Sequence, residues 1–199
     1  MKDGTPPRST RDAILDATDK LLSLYGYKKM TIDDLAREVG IGKGSVYLHF
    51  KSKEEIALTH IDRLFERCLE NLRVIGAKPL KPDERLRRML IERVLYRFDG
   101  VQHYKQSLDE MLSYVRRQLL ERRRYYFNQE ALILGTVIRE GQRSGLFLKG
   151  DPVDHGLTLI SATNSLLPYS LSAIELGDRA DLSSRTEKTA KLLIRGLLR

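Results

Sequence analysis

The chain has 199 residues, 41% of them hydrophobic and 31% charged, the balance expected of a globular protein with a core of its own. No stretch approaches the roughly 18 apolar residues that a membrane helix needs. Thirty-five basic against 27 acidic side chains give a net charge of +8, which favours a polyanionic partner such as nucleic acid without saying anything about fold.

In chain order, nearly every segment reads as helix. Ser9 caps a first helix, with Asp12 as the carboxylate half of a capping box. Ile14, Ala17, Leu21 and Leu24 follow as one apolar stripe. The helix is expected to stop at Gly26, since glycine takes the left-handed conformation without steric cost. Thr31 and Asp34 cap a short second helix, stapled by Met30 and Leu35, and Gly40 ends it. A tight turn (Gly40, Ile41, Gly42) leads to a third helix, Lys43 to His49, with Val46 and Phe50 facing inward. Ser52 and Glu55 open a long fourth helix that ends near Gly76.

A loop is expected around Gly76 to Pro82, then a helix from Asp83 to about Phe98 with a break near Gly100. Two further helices follow, about Tyr104 to Arg116 and onward to Arg143, closed by Gly141 and Gly145. Asp151 and Pro152 start another, running to about Leu176 before Gly177, with Pro168 kinking or interrupting it. Ser184 and Glu187 cap a last helix ending near Leu198. The expected fold is therefore all-α with about nine helices. Residues 1–52 form a helix-turn-helix domain, and 53–199 a second helical domain.

Two short helices around a glycine turn, braced by a preceding helix, define a helix-turn-helix whose third helix lies in the major groove. Lys43 supplies a flexible donor, Gly44 an unobstructed approach and Ser45 a hydroxyl. Tyr47 and His49 point away from Val46 and Phe50, where they can hydrogen-bond phosphate. Thr31 and Lys53 stand at the starts of helices, where free backbone N–H groups favour an anion. With Gly42 these make the predicted DNA-binding set: Thr31, Gly42, Lys43, Gly44, Ser45, Tyr47, Leu48, His49 and Lys53.

The run TIDDLAREVGIGKGSVYLHFKSKEE, Thr31 to Glu55, resembles the TetR family of bacterial transcriptional regulators. The matching core is Ala36, Gly40, Lys43, Gly44, Ser45, Val46, Tyr47, His49, Phe50, Lys53 and Glu54, and the likeness extends from about Arg11 to Ile61. Gly42 departs from it, because the family usually has Ser or Thr there, and glycine brings no side-chain oxygen to the cap. The resemblance implies a second domain that binds a small effector, and a homodimer formed through a four-helix bundle of the last two helices. The expected protein is a ligand-responsive regulator that acts as a repressor on a palindromic operator in double-stranded DNA. An activator of the same fold, or an interaction module without effector, is the alternative.

Between Arg85 and Phe127 lie ten arginines and seven of the 14 aromatic residues. Most of these arginines are expected outside a helical bundle and most aromatics inside it. Tyr96, Tyr104, Tyr114, Tyr126 and Phe127 are the candidates to reach an effector cavity, with arginines at its mouth for an acidic or aromatic ligand. In the last helix Ala190, Leu193, Ile194 and Leu197 lie on one side, and Leu192 and Leu198 on others. So wide an apolar surface points to pairing with a symmetry mate.

Other classes of function find little support. Cys68 is the single cysteine, and His49, His60, His103 and His155 show no close pairing, so no metal site or cofactor is expected. There is no nucleophile with a base, and the Gly40 to Gly44 spacing is wrong for a phosphate-cradling loop. No enzymatic activity is expected. The polar N-terminus lacks a signal-peptide core, which makes the cytoplasm the expected location.

Overall fold

A computed structural model describes residues 9–168 and 175–199. Among these, eight α-helices account for nearly all regular structure: α1 (Thr10–Lys29), α2 (Ile32–Val39), α3 (Lys43–His49), α4 (Lys53–Gly76), α5 (Pro82–Val101), α6 (Lys105–Arg143), α7 (Pro152–Thr163) and α8 (Arg179–Leu197). The all-α expectation is met, and among the described residues the β-structure is limited to an isolated antiparallel bridge between Phe147 and Leu198. No helix among the described residues is long and apolar enough to cross a membrane.

The chain forms two compact units, one of Met1–Asp62 with His103–Arg116 and the other of Arg63–Gln102 with Arg117–Arg199. The first unit therefore extends past residue 52. It takes in the opening ten residues of α4 and the start of α6, neither of which the helix-turn-helix pattern reveals.

Within the first unit α1 packs on α2 and α2 on α3. Ile14, Leu22, Met30, Leu35, Val46, Phe50 and Ile56 are fully buried. Gly26 breaks α1 as expected of a left-handed glycine (φ 73°, ψ 168°), but one more helical turn carries the chain to Lys29. Thr31 and Asp34 make the reciprocal capping box on α2, with Asp34 N donating to Thr31 Oγ1 and Thr31 N to Asp34 Oδ2, both at 3.1 Å. Gly40 (φ 76°) closes α2 in a Schellman arrangement. Its N–H donates to Arg37 O at 3.2 Å, and Ile41 N–H donates to Ala36 O at 2.9 Å.

The second unit is a helical bundle. Cys68 and Leu72 of α4, Leu86 and Leu90 of α5, Leu134 and Ile138 of α6, Ile160 of α7 and Ile194 of α8 share its core. Four sequence expectations are corrected here. Helix α5 runs through Gly100 without a break; a Cβ there would lie 2.4 Å from Leu64 Cδ1, so the glycine serves close helix packing. The stretch Lys105–Arg143 is one helix of 39 residues, where two were expected. Helix α7 ends at Thr163 and a 3₁₀ turn covers Asn164–Leu166. Leu167 is extended (φ −96°, ψ 143°), as the residue before a proline prefers to be. The rest of that expected helix, residues 169–174, lies outside the described residues.

The fourth correction concerns α8, which begins five residues before Ser184. Asp178 is its cap, accepting from Asp181 N at 2.9 Å. Glu187 pairs instead with Arg87 of α5, at 2.6 and 2.8 Å. Helix α8 packs mainly along α5, so Ala190, Ile194 and Leu197 are buried within their own unit and Leu193 and Leu198 pack against its core. Only Leu192, 68% exposed, remains open among the apolar residues that pointed to a partner helix.

Candidate nucleic-acid interface

Helix α3 is seven residues long and owes its orientation to two side chains. Val46 is 0% and Phe50 1% exposed, which turns the rest of the helix outward. On the outer face Leu48 is 85% and Tyr47 49% exposed, with Lys43, Gly44 and His49 exposed beside them and Ser45 half-buried. Beyond its chain neighbours and its own helix backbone, no heavy atom lies within 4 Å of where a Cβ on Gly44 would sit, so that glycine leaves open space above the helix start.

Gly42 is the N-cap of α3 and contributes no side-chain hydrogen bond, the consequence expected of the missing hydroxyl. Ser45 N–H is satisfied by Gly42 O at 2.9 Å. The Lys43 ammonium lies 2.7 Å from Asp33 Oδ2, a partner that sequence reading missed. That hydrogen bond holds the Lys43 pKa above its ordinary value.

Two predicted contacts are given other work. The Thr31 hydroxyl is engaged in the α2 cap, where it also donates to Asp34 Oδ2 at 2.6 Å. The Lys53 ammonium turns back to the end of α1, donating to the carbonyls of Tyr27 (3.1 Å), Lys28 (3.4 Å) and Met30 (3.2 Å). It also stands 4.5 Å above the Tyr27 ring. A cation at a helix C-terminus meets the negative end of the helix dipole, so Lys53 ties α4 to α1. Burial and the neighbouring Glu54 raise the Tyr27 pKa.

The five aromatics predicted to line one effector cavity do not share one place. Tyr104 and Tyr114 belong to the first unit. Tyr104 is buried with its hydroxyl 3.1 Å from His60 Nε2, and Tyr114 is half exposed with its ring 5.3 Å from that of Tyr27. Tyr96, Tyr126 and Phe127 lie in the second unit. Tyr126 is buried edge-on against Phe65 at 4.9 Å, and burial pushes its pKa up to about 12. Phe127 is half-buried, with the guanidinium groups of Arg93 and Arg123 over its ring at 5.1 and 5.0 Å. A groove of about 440 Å³ opens in this unit between the end of α4 and α6, lined by Arg73, Gly76, Ala77, Gln129, Leu132, Ile133 and Thr136. None of the five aromatics is among its lining residues.

Seven of the ten arginines are exposed or half-buried, as expected of most of them, but Arg85, Arg93 and Arg97 are buried. Arg93 donates to Glu130 Oε2 at 2.7 Å and to Thr163 Oγ1 at 3.1 Å, and Arg97 donates to Glu130 Oε1. Burial pushes the Glu130 carboxyl up, but the two guanidinium groups outweigh it and hold the pKa below its ordinary value. The signal was present in the phase of α5: Leu86, Leu90, Arg93 and Arg97 recur at four, three and four, the spacing of a buried stripe. Arg85 is bound by Glu140 and donates to Gly76 O at 2.7 Å.

The fold and this interface define an all-α protein with an N-terminal helix-turn-helix unit and a second helical unit. The family of bacterial regulatory proteins of the TetR type matches residues 14–59, the segment that holds the whole helix-turn-helix. Residues 14–59 thus carry the N-terminal segment of a TetR-type regulator.

Among relatives, it is 36% identical over 62 residues to IcaR of Staphylococcus epidermidis, a negative transcriptional regulator of the biofilm operon icaADBC. That match covers 31% of this chain and 34% of IcaR. A TetR/AcrR-family regulator from Thermobifida fusca shares the fold along nearly the full length, covering 95% of this chain and 98% of its own at 26% identity and a TM-score of 0.68. SmeT, solved in complex with triclosan, covers 96% and 93% at 20% identity and a TM-score of 0.71. The chain spans between about a quarter and a half of the length of the first curated relatives that it matches, at 34%, 28% and 45%.

Proposed function

We propose that this protein is a ligand-responsive, DNA-binding transcriptional regulator that represses transcription as a homodimer on a palindromic operator. The observation that carries this reading is the outer face of α3, where Lys43, Gly44, Tyr47, Leu48 and His49 project together above the buried Val46 and Phe50. Each subunit places α3 in one major groove, with half-sites one helical turn or more apart. Lys43 and Ser45 read base edges, while Tyr47 and His49 hold phosphates and Leu48 meets thymine methyls. Thr31 and Lys53 act indirectly, the first by capping α2 and the second by bracing α4 on α1.

The second unit receives the effector. SmeT bound to triclosan supports a small-molecule site in a protein of this fold. Tyr96, Tyr126 and Phe127, with arginines among them, favour an acidic or aromatic compound. Helix α4 contributes residues to both units, so an effector that binds better to the DNA-incompetent state shifts the population and releases the operator. Repression rather than activation accords with the negative regulator IcaR.

The test is selection of bound duplexes from a random double-stranded library, followed by footprinting on the selected site. Two protected half-sites related by a dyad are expected. Failure to enrich any sequence at low ionic strength, with the fold intact by circular dichroism, defeats the proposal.

A further inference from the structure

Lys43 opens α3, and Asp33, in the first turn of α2, holds its ammonium at 2.7 Å. Both side chains face solvent, at 52% and 57% exposure. Their placement is electrostatically uneven. A carboxylate in the first turn of a helix is favoured by the dipole and a cation there is not. Gly42 offers no side-chain oxygen to offset that penalty. The Asp33 carboxylate supplies the missing negative charge. Its neighbour Asp34 is engaged elsewhere, bound to Thr31 and to Arg37 at 3.4 Å.

An exposed ion pair of this kind adds little to stability. Its effect lies in direction. An unrestrained lysine is a flexible point charge that any phosphate attracts, and a lysine spent on phosphate carries no sequence information. A carboxylate beside it also repels the backbone of any duplex that offers no compensating base contact.

We propose that Asp33 is a specificity-determining positioning residue, which aims Lys43 at base edges and keeps its charge from being used on phosphate. This rests on the reading of α3 as the groove-entering helix.

The experiment uses the full chain as wild type, Asp33→Asn and Asp33→Glu. Duplexes are selected from a random library with the wild-type protein. Anisotropy titrations then compare the selected duplex with a scrambled one across a salt series. Asp33→Asn is expected to bind the scrambled duplex more tightly, and the slope of log K against log salt should steepen by about 0.9 as Lys43 takes up a phosphate. The ratio of selected to scrambled affinity should fall by about fivefold or more. Asp33→Glu should restore both quantities towards wild type, which a loss of fold would not explain. If the wild type selects a site and Asp33→Asn keeps its ratio and slope, the role of Asp33 is refuted while DNA recognition stands. If the wild type selects nothing, both are refuted.

Discussion

Lys53 and Tyr27 meet twice: the lysine ammonium donates to the tyrosine carbonyl at 3.1 Å and stands 4.5 Å above its ring. The residue that opens α4 thus closes α1, across 26 positions of sequence. Lys53→Met keeps the aliphatic stem and removes the charge. It should lower stability by about 1–2 kcal/mol, from the lost helix-end and cation–π terms. Differential scanning calorimetry checks this, and the salt dependence of DNA binding should stay as in wild type. A slope flattened by about one unit would return Lys53 to the phosphate contacts.

On α3 the outer residues should separate into two kinds. Lys43→Ala should alter which bases are preferred, because it removes a donor at the helix start. Tyr47→Phe should weaken binding to every duplex to a similar degree, because it removes a phosphate hydrogen bond. Titration against a panel of single-base variants of the selected site distinguishes them, and uniform loss for Lys43→Ala would contradict its assignment.

The Glu130 carboxylate stands between Arg93 and Arg97 with all three side chains buried. Glu130→Gln should cost about 3–5 kcal/mol, since it leaves two buried guanidinium groups facing a neutral amide. The pH dependence follows from the sign of the shift. The folded pKa of Glu130 lies below its ordinary value of 4.5, so its contribution is complete above that pH and fades as pH falls through the folded pKa. Chemical denaturation from pH 7 down to about 3 should therefore show a steeper loss of stability for wild type than for Glu130→Gln.

Gly156 of α7 marks another close approach, where an added Cβ would lie 2.9 Å from the main-chain oxygen of Ala131. Alanine is the better helix former by about 1 kcal/mol, so propensity alone favours Gly156→Ala. Backbone cannot swing aside as a side chain can, and overpacking of this kind costs about 1–3 kcal/mol. The balance predicts a lower thermal midpoint, whereas a rise would show that α7 shifts freely on α6.

Elements were legible where their signals are local. The Thr31–Asp34 capping box, the Gly40 turn and the inward Val46 and Phe50 each involve residues within four positions, and all were readable. At Gly100 sequence does not decide, because a glycine that ends a helix and one that admits a neighbour look alike in it. The contact with Leu64 decides between them. The start of α8 is ambiguous in sequence, because Ser184 and Glu187 fit a cap as well as Asp178 and Asp181 do. The ion pair between Glu187 and Arg87 removes that ambiguity. Tyr104, Tyr114 and Tyr126 are near one another in the chain, but the first two belong to one unit and the third to the other, a division that no local pattern marks.

By itself the sequence determined the helix-turn-helix, its caps and the exposed outer face of α3, because backbone hydrogen bonds and apolar periodicity are settled over one or two helical turns. Only the tertiary structure decided where the charges end: Lys53 on Tyr27, Lys43 on Asp33, and Arg93 on Glu130, 37 residues away. A long charged side chain takes its partner from whichever element folds against it. That choice is made by packing between distant segments, and no local pattern records it.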